Sequence, residues 1–193
     1  DAIQLEPQGG SKTELVLWAK DAQGVRKVYP FVKENNAGVV QVFVEATKTD
    51  SIDGKGTPSA FLLSDVEDVI EINPFNNRAR RPIQMILEIK PIELIPVDVE
   101  IISLNQNSVD ITSKIRANLE EYLYDVRPFI AGADLSRNKN DILNIARLQG
   151  ISADSIGNTN YFLDFKMFVD GQELSSFIMS KSNIPYLRNL TFS

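Results

Sequence analysis

The stretch VRKVYPFVKENNAGVVQVFVEA, residues 25–46, decides the fold. Residues 25–32 and 39–46 both alternate in character. Val40, Val42, Val44 and Ala46 fall on one face and Gln41, Phe43 and Glu45 on the other, the period of two that a β-strand imposes on its side chains. Asn35-Asn36-Ala37-Gly38 supplies turn residues between the two runs, so they read as a hairpin.

On the N-terminal side of the hairpin, Ser11-Lys12-Thr13-Glu14 has the spacing of a capping box. Leu15, Trp18, Ala19 and Ala22 follow at helical intervals until Gly24 ends the run. On its C-terminal side a polar loop, residues 47–56, leads to Thr57 as a helix N-cap with Pro58 at the first helical position. Leu62, Val66, Val69 and Ile70 give that helix an apolar stripe, and Asn73-Pro74 closes it. Residues 82–90 alternate again, with Ile83, Met85, Leu87 and Ile89 facing inward. The order helix, strand, strand, helix, strand suits a small sheet with helices packed on one face.

Pro91 and Pro96 punctuate the chain, and the reading divides there: residues 1–92 form one α+β unit, and residues 93–193 a second one with a β-rich C-terminal tail. In the second unit Val97, Val99 and Ile101 alternate with outward Asp98 and Glu100. A helix over residues 109–126 carries Ile111, Ile115, Leu119, Tyr122, Leu123 and Val126 on one stripe and stops before Pro128. A shorter helix is expected over residues 141–149, with Ile142, Ile145 and Ala146 inside and Gly150 as its stop. Residues 161–169 alternate as a strand, Asp170-Gly171 is a hairpin turn, and residues 184–192 supply a last strand. The fold class is α+β: two small adjoining units, each a mixed or antiparallel sheet with helices packed on it.

The 193 residues include no His and no Cys. That removes the usual general base at neutral pH, Ser-His and Cys-His nucleophile pairs, disulfides and zinc-thiolate sites. The reading therefore assigns no catalytic residue, no metal and no cofactor. With 20 basic and 26 acidic residues the net charge is −6, which speaks against a nucleic-acid or anionic-membrane binder. No apolar run approaches the roughly 20 residues of a membrane span, and the N-terminus lacks a signal-peptide pattern. The chain opens at Asp1 without Met, which reads as processing or trimming.

Gly54-Lys55-Gly56-Thr57 invites comparison with a phosphate loop, but the spacing of one is absent, and a loop leading into a capped helix is the simpler reading. Asp50 and Asp53 lack the alternating ligands of a calcium loop. Glu67, Asp68 and Glu71, like Glu120 and Glu121, read as solvated helix faces. Asn189-Leu190-Thr191 is a glycosylation pattern short enough to arise by chance. Two sets stand out as a candidate interface. One is Arg78, Arg80 and Arg81, whose guanidinium forks suit carboxylates across a subunit boundary. The other is the aromatic set Tyr161, Phe162, Phe165 and Phe168, whose distribution on both faces of one strand calls for cover on both faces.

Four stretches resemble the baseplate J-like proteins, wedge components of contractile phage tails and related injection machines. They are Gly9-Gly10-Ser11 with Trp18-Ala19 and Gly24-Val25; residues 38–44; Gly56-Thr57-Pro58-Ser59 with Arg80-Arg81-Pro82 and Ile95-Pro96-Val97-Asp98-Val99; and Ile184-Pro185-Tyr186-Leu187 with Leu190-Thr191. The resemblance covers nearly the whole chain but only the C-terminal part of a typical family member. Residues 152–183 depart from it in length and aromatic content.

The resemblance implies a non-enzymatic structural subunit, made in the bacterial cytoplasm and located in the virion tail baseplate. It implies assembly with itself and with other wedge proteins into the baseplate ring, without nucleic-acid binding or membrane insertion, and a hinge between Pro91 and Pro96. An alternative reading is a secreted or surface module that binds glycan or peptide through the aromatic strand. A carboxylate-dependent hydrolase ranks below both.

Overall fold

The computed structural model describes residues 10–193. The fold is α+β, and the chain divides into two compact units, Asp1–Glu93 with Ile130–Lys139, and Leu94–Phe129 with Asn140–Ser193. The chain thus passes between units three times, because the ten residues Ile130–Lys139 belong with the first unit and not with their sequence neighbours.

In the first unit, α1 (Lys12–Ala19) begins with the capping box: Ser11 Oγ accepts from Glu14 N at 3.3 Å, and Glu14 Oε2 accepts from Ser11 N at 2.7 Å. Both exchanges satisfy N–H groups that the first helical turn leaves without partners. Strands β1 (Val25–Lys33) and β2 (Asn36–Ala46) form the hairpin, with Tyr29 opposite Phe43 and Val28 opposite Val44. Its turn is tighter than the four residues expected, because Lys33 already pairs with Asn36 and Asn35 takes a positive φ of 62°. Next come α2 (Ala60–Glu71) and β3 (Ile86–Pro91), which pairs parallel to β2 with Val39 opposite Ile86. A parallel partner needs a long crossover, and α2 provides it. Leu15, Trp18 and Ala19 of α1 and Val66 and Ile70 of α2 pack with Val28, Val40, Val42 and Val44, so both helices share one sheet-based core.

Two expectations for this unit are corrected. The N-cap of α2 is Ser59, whose Oγ accepts from Leu62 N at 3.1 Å; the Thr57 hydroxyl is engaged with Asp53 at 2.6 Å, which starts the helix one turn-residue pair later. Residues 82–85 form a turn, with Met85 N donating to Pro82 O, so the strand begins only at Ile86 and Ile83 is 100% exposed where it was expected inside.

In the second unit, β4 (Glu93–Ile102), β6 (Asp164–Val169), β7 (Gln172–Glu173) and β9 (Asn183–Phe192) form one sheet in the order β7-β6-β4-β9. A two-stranded ladder pairs β5 (Ile142–Asn144) with β8 (Ser176–Ile178). Strands β4 and β6 run antiparallel, and the Asp170-Gly171 turn, with φ of 50° and 80°, joins β6 to β7. Both residues lie in the left-handed region that a two-residue hairpin of this hand requires. The core gathers Val97, Val99 and Ile101 of β4, Phe165, Met167 and Val169 of β6, and Ile115, Leu119 and Leu123 of α3 (Val109–Asp125). Leu148 and Ile156 of α4 (Ile145–Ile156) complete it.

Here too the reading is corrected. The helix expected over residues 141–149 is replaced by β5 and then α4, which runs through Gly150 to Ile156 and gives way at Gly157, φ 76°. Leu148, Ser152, Ser155 and Ile156 keep a buried stripe going past Gly150, while Ile142 and Ala146, expected inside, are exposed. The strand expected from Tyr161 starts at Asp164, because Tyr161 is held outside the ladder by Asn105: its N–H donates to Asn105 Oδ1 at 2.8 Å and its carbonyl accepts from Asn105 N at 3.0 Å.

Candidate functional site

The three arginines that the sequence groups together have separate surroundings. Arg80 is 8% exposed, and its Nη1 donates to Asp21 Oδ2 at 2.7 Å and to the Val69 carbonyl at 2.9 Å. Its guanidinium also lies 5.7 Å from the Trp18 ring centroid, so it joins the end of α1, α2 and the segment before β3. Arg81 pairs through Nε with Glu71 at 2.6 Å and donates to the Met85 carbonyl. Arg78 is exposed, and among the described residues its side chain has no ion-pair partner.

Arg78 belongs to a turn that the sequence reading passed over. Asn73 N donates to Arg78 O at 2.8 Å and Asn77 N to Asn73 O at 2.9 Å. Asn73 Oδ1 accepts from Phe75 N at 2.9 Å, and Asn76 Oδ1 accepts from Arg78 N at 3.1 Å. An isolated bridge between Ile72 and Ala79 closes its base. At its tip Phe75 is 83% exposed, the most exposed aromatic side chain among the described residues. The clue was legible: a phenylalanine inside the polar run Asn73-Pro74-Phe75-Asn76-Asn77-Arg78 has no periodic neighbours to bury it.

The aromatic set also divides. Phe165 lies in the core at 5% exposure, and Phe162 is half-buried with its ring 6.0 Å from that of Phe165. Phe168 is half-buried opposite Asp98, on the strand face away from Met167 and Val169. Tyr161 is exposed and, with Phe162, walls an open cleft of about 720 Å³ whose other side is α4. The helix presents Ala146, Gly150 and Ala153 to that cleft, and Asp154 is the charged group in its lining.

Other polar clusters are satisfied within the fold. Glu45 is fully buried, yet its carboxylate accepts from Arg26 Nη1 at 2.9 Å and from Tyr29 Oη at 2.6 Å. The alternation places Glu45 on the sheet face opposite Val44 and Ala46, and the neighbouring strand β1 supplies both of these donors. Glu88 of β3 accepts from Lys33 at 2.7 Å and Gln41 at 2.8 Å, and these bonds, with Lys33 and Lys90 as nearby cations, bring its pKa down to about 2. Across β4 and β9 a fork from Arg188 reaches Asp98 at 3.0 and 2.5 Å, and that hydrogen bonding holds the Asp98 carboxyl below its usual range.

The Gly54-Lys55-Gly56-Thr57 loop is closed on an internal anion. Asp53 accepts from Lys55 N at 2.8 Å, from Thr57 N at 3.3 Å and from the Thr57 hydroxyl. Burial works to raise the Asp53 pKa, but the bonds from Thr57 and Lys55 outweigh it and lower it. The N–H groups that would cradle a phosphate therefore point at a carboxylate of the same loop. Gly56, φ 115°, is fixed by close approach: a Cβ there would lie 3.1 Å from Glu45 Cγ. Among the described residues no three His, Cys, Asp or Glu side chains form a group able to hold a metal, and no helix is long and apolar enough to cross a membrane.

Residues 7–91 match the family model described as the Baseplate J-like central domain. No curated protein matches the chain. The matched span takes in α1, β1, β2, α2 and β3, the whole mixed sheet and both of its helices, and ends where β3 ends. The two stretches of family-like wording at residues 95–99 and 184–191 lie beyond it. The match over residues 7–91 is consistent with a baseplate J-like assignment and suggests a phage-baseplate-related structural protein.

Proposed function

We propose that this chain is a wedge subunit of a contractile-tail baseplate, or of a prophage-derived injection machine, that assembles with itself and with other wedge proteins into the ring. The observation that carries the reading is the family match over residues 7–91, coinciding with a folded helix-and-sheet module whose buried polar groups serve packing. A structural family and a fold whose arginine and carboxylate clusters are paired internally both favour mechanical work over chemistry. Such a subunit acts through its outer surface, so its exposed apolar and unpaired charged groups are the parts to test.

The hinge reading for Pro91 to Pro96 narrows on the same grounds. Ile92 is buried with its N–H on the Val44 carbonyl, and from Glu93 the chain already runs in β4, where the Pro96 carbonyl accepts from Asp170 N, so any bending falls at the step from Ile92 to Glu93. Co-expression of the chain with the other baseplate proteins encoded beside it, followed by sedimentation of the purified product, tests the assignment. A stable complex of defined stoichiometry is expected; a chain that stays monomeric alone and in every pairwise mixture refutes it.

A further inference from the structure

We infer that the Phe75 turn of one copy of this chain seats in the α4 cleft of the next, making a head-to-tail contact between copies. The inference deepens the wedge-subunit reading and rests on its self-assembly.

The donor surface is built for insertion. Phe75 stands almost wholly in solvent, yet the turn beneath it is tied by four hydrogen bonds and a strand bridge, and the adjoining Arg80 anchors that segment to α1 and α2. A rigid aromatic loses little conformational entropy on binding, and aromatic and Arg side chains are the usual anchors of interfaces. Arg78 sits on the same turn with no ion-pair partner among the described residues.

The acceptor is the cleft of about 720 Å³, and its floor carries an unexplained glycine. Gly150 lies in the interior of α4, where glycine is unfavourable relative to alanine. A Cβ at this position would meet nothing within 4 Å, so packing inside the fold does not require its absence. With Ala146 one turn before and Ala153 one turn after, the bare helix surface admits a bulky group to the backbone itself. Tyr161 and Phe162 offer an aromatic wall for the Phe75 ring, and Asp154, exposed and without an ion-pair partner among the described residues, supplies the charge opposite to Arg78.

Two different complementary surfaces on one chain make a heterologous contact, which is the kind that closes into a ring. A contact of one surface with its own copy would stop at a dimer.

Sedimentation velocity of the full chain across the micromolar range tests this, with circular dichroism confirming that each variant is folded. Phe75→Ala should weaken self-association by about 30-fold or more, the range of an interface anchor. Gly150→Leu, whose Cβ meets nothing within 4 Å and whose side chain obstructs the bare helix surface, should do the same. Arg78→Glu and Asp154→Arg should each weaken it, and the double variant should recover to within a few-fold of the parent. Self-association unchanged by Phe75→Ala and Gly150→Leu, or a charge swap that fails to rescue, overturns the contact while leaving the wedge-subunit reading intact. A parent chain that remains monomeric throughout overturns the contact and self-assembly together. A soluble glycan or peptide that binds the parent but not Gly150→Leu, with association unaffected, assigns the cleft to another ligand and also overturns the contact.

Discussion

Arg80→Ala is expected to unfold the first unit more readily, and not to act as an interface mutation. Three interactions are lost together. The charge-assisted bond to the Val69 carbonyl contributes about 1.5–3 kcal/mol. The cation-π contact with Trp18, itself only 6% exposed, adds about 1–2 kcal/mol in so dry a setting. The pair with Asp21, whose carboxylate is about a quarter exposed, adds roughly 0.5–1 kcal/mol after allowance for solvent screening. These terms share one side chain and do not add, so about 3 kcal/mol is the expected loss.

Arg80→Lys keeps a charge near Asp21 but cannot reproduce the fork, and about half of that loss is expected. The assay is built into the chain: Trp18 is its one tryptophan and sits against Arg80, so urea unfolding followed by Trp fluorescence reports on the first unit. If Arg80→Ala shifts the urea midpoint by less than the equivalent of about 1 kcal/mol, while self-association is lost, the internal role argued for Arg80 is wrong and the residue faces a partner.

Four further outcomes are expected. Glu88 titrates at about 2 in the folded chain against an ordinary 4.5, so its stabilising contribution is complete above pH 4.5 and disappears as pH falls through about 2. Thermal melts at low salt should show the gap between parent and Glu88→Gln closing across that window; a gap of constant size down to pH 2 contradicts the assignment. Ser59→Ala should cost about 1 kcal/mol through loss of the α2 cap, whereas Thr57→Val should cost less than about 0.5 kcal/mol, and the reverse order in denaturant titrations would restore Thr57 as the cap. Tyr29→Phe leaves a fully buried Glu45 without one of its donors and should cost about 1–3 kcal/mol by the same Trp-monitored unfolding. Leu119→Ala, in the middle of the second core, should cost about 2–5 kcal/mol by far-ultraviolet circular dichroism and leave the Trp18 transition in place if the two units unfold separately.

What could be read from the sequence, and what could not, follows the range of the interactions involved. The capping box of α1, the hairpin of residues 25–46 and the Asp170-Gly171 turn rest on neighbours a few residues apart, and they are where local chemistry puts them. Thr57 and Ser59 are equally good caps by residue type; the choice between them is made by Asp53, four residues away, which takes the Thr57 hydroxyl. Strand β5 has only three residues and exists because residues 176–178 arrive beside it, a pairing no local window contains. Once that ladder takes residues 142–144, the helix must start later, and a buried stripe from Leu148 to Ile156 carries it past Gly150.

The candidate interface shows the same limit in a sharper form. Composition made Arg78, Arg80 and Arg81 look equivalent, since each brings one guanidinium to one short loop. Their different roles depend on Asp21, Glu71 and Trp18, residues 10 to 62 positions away, which occupy Arg80 and Arg81 and leave Arg78 on the turn that displays Phe75. A side chain buried in its own unit cannot also hold a neighbouring subunit without unfolding part of that unit. Of the arginine triad, Arg78 alone keeps its charge available at no structural cost, and the surface worth testing moves from a cluster of like charges to one arginine beside one exposed ring.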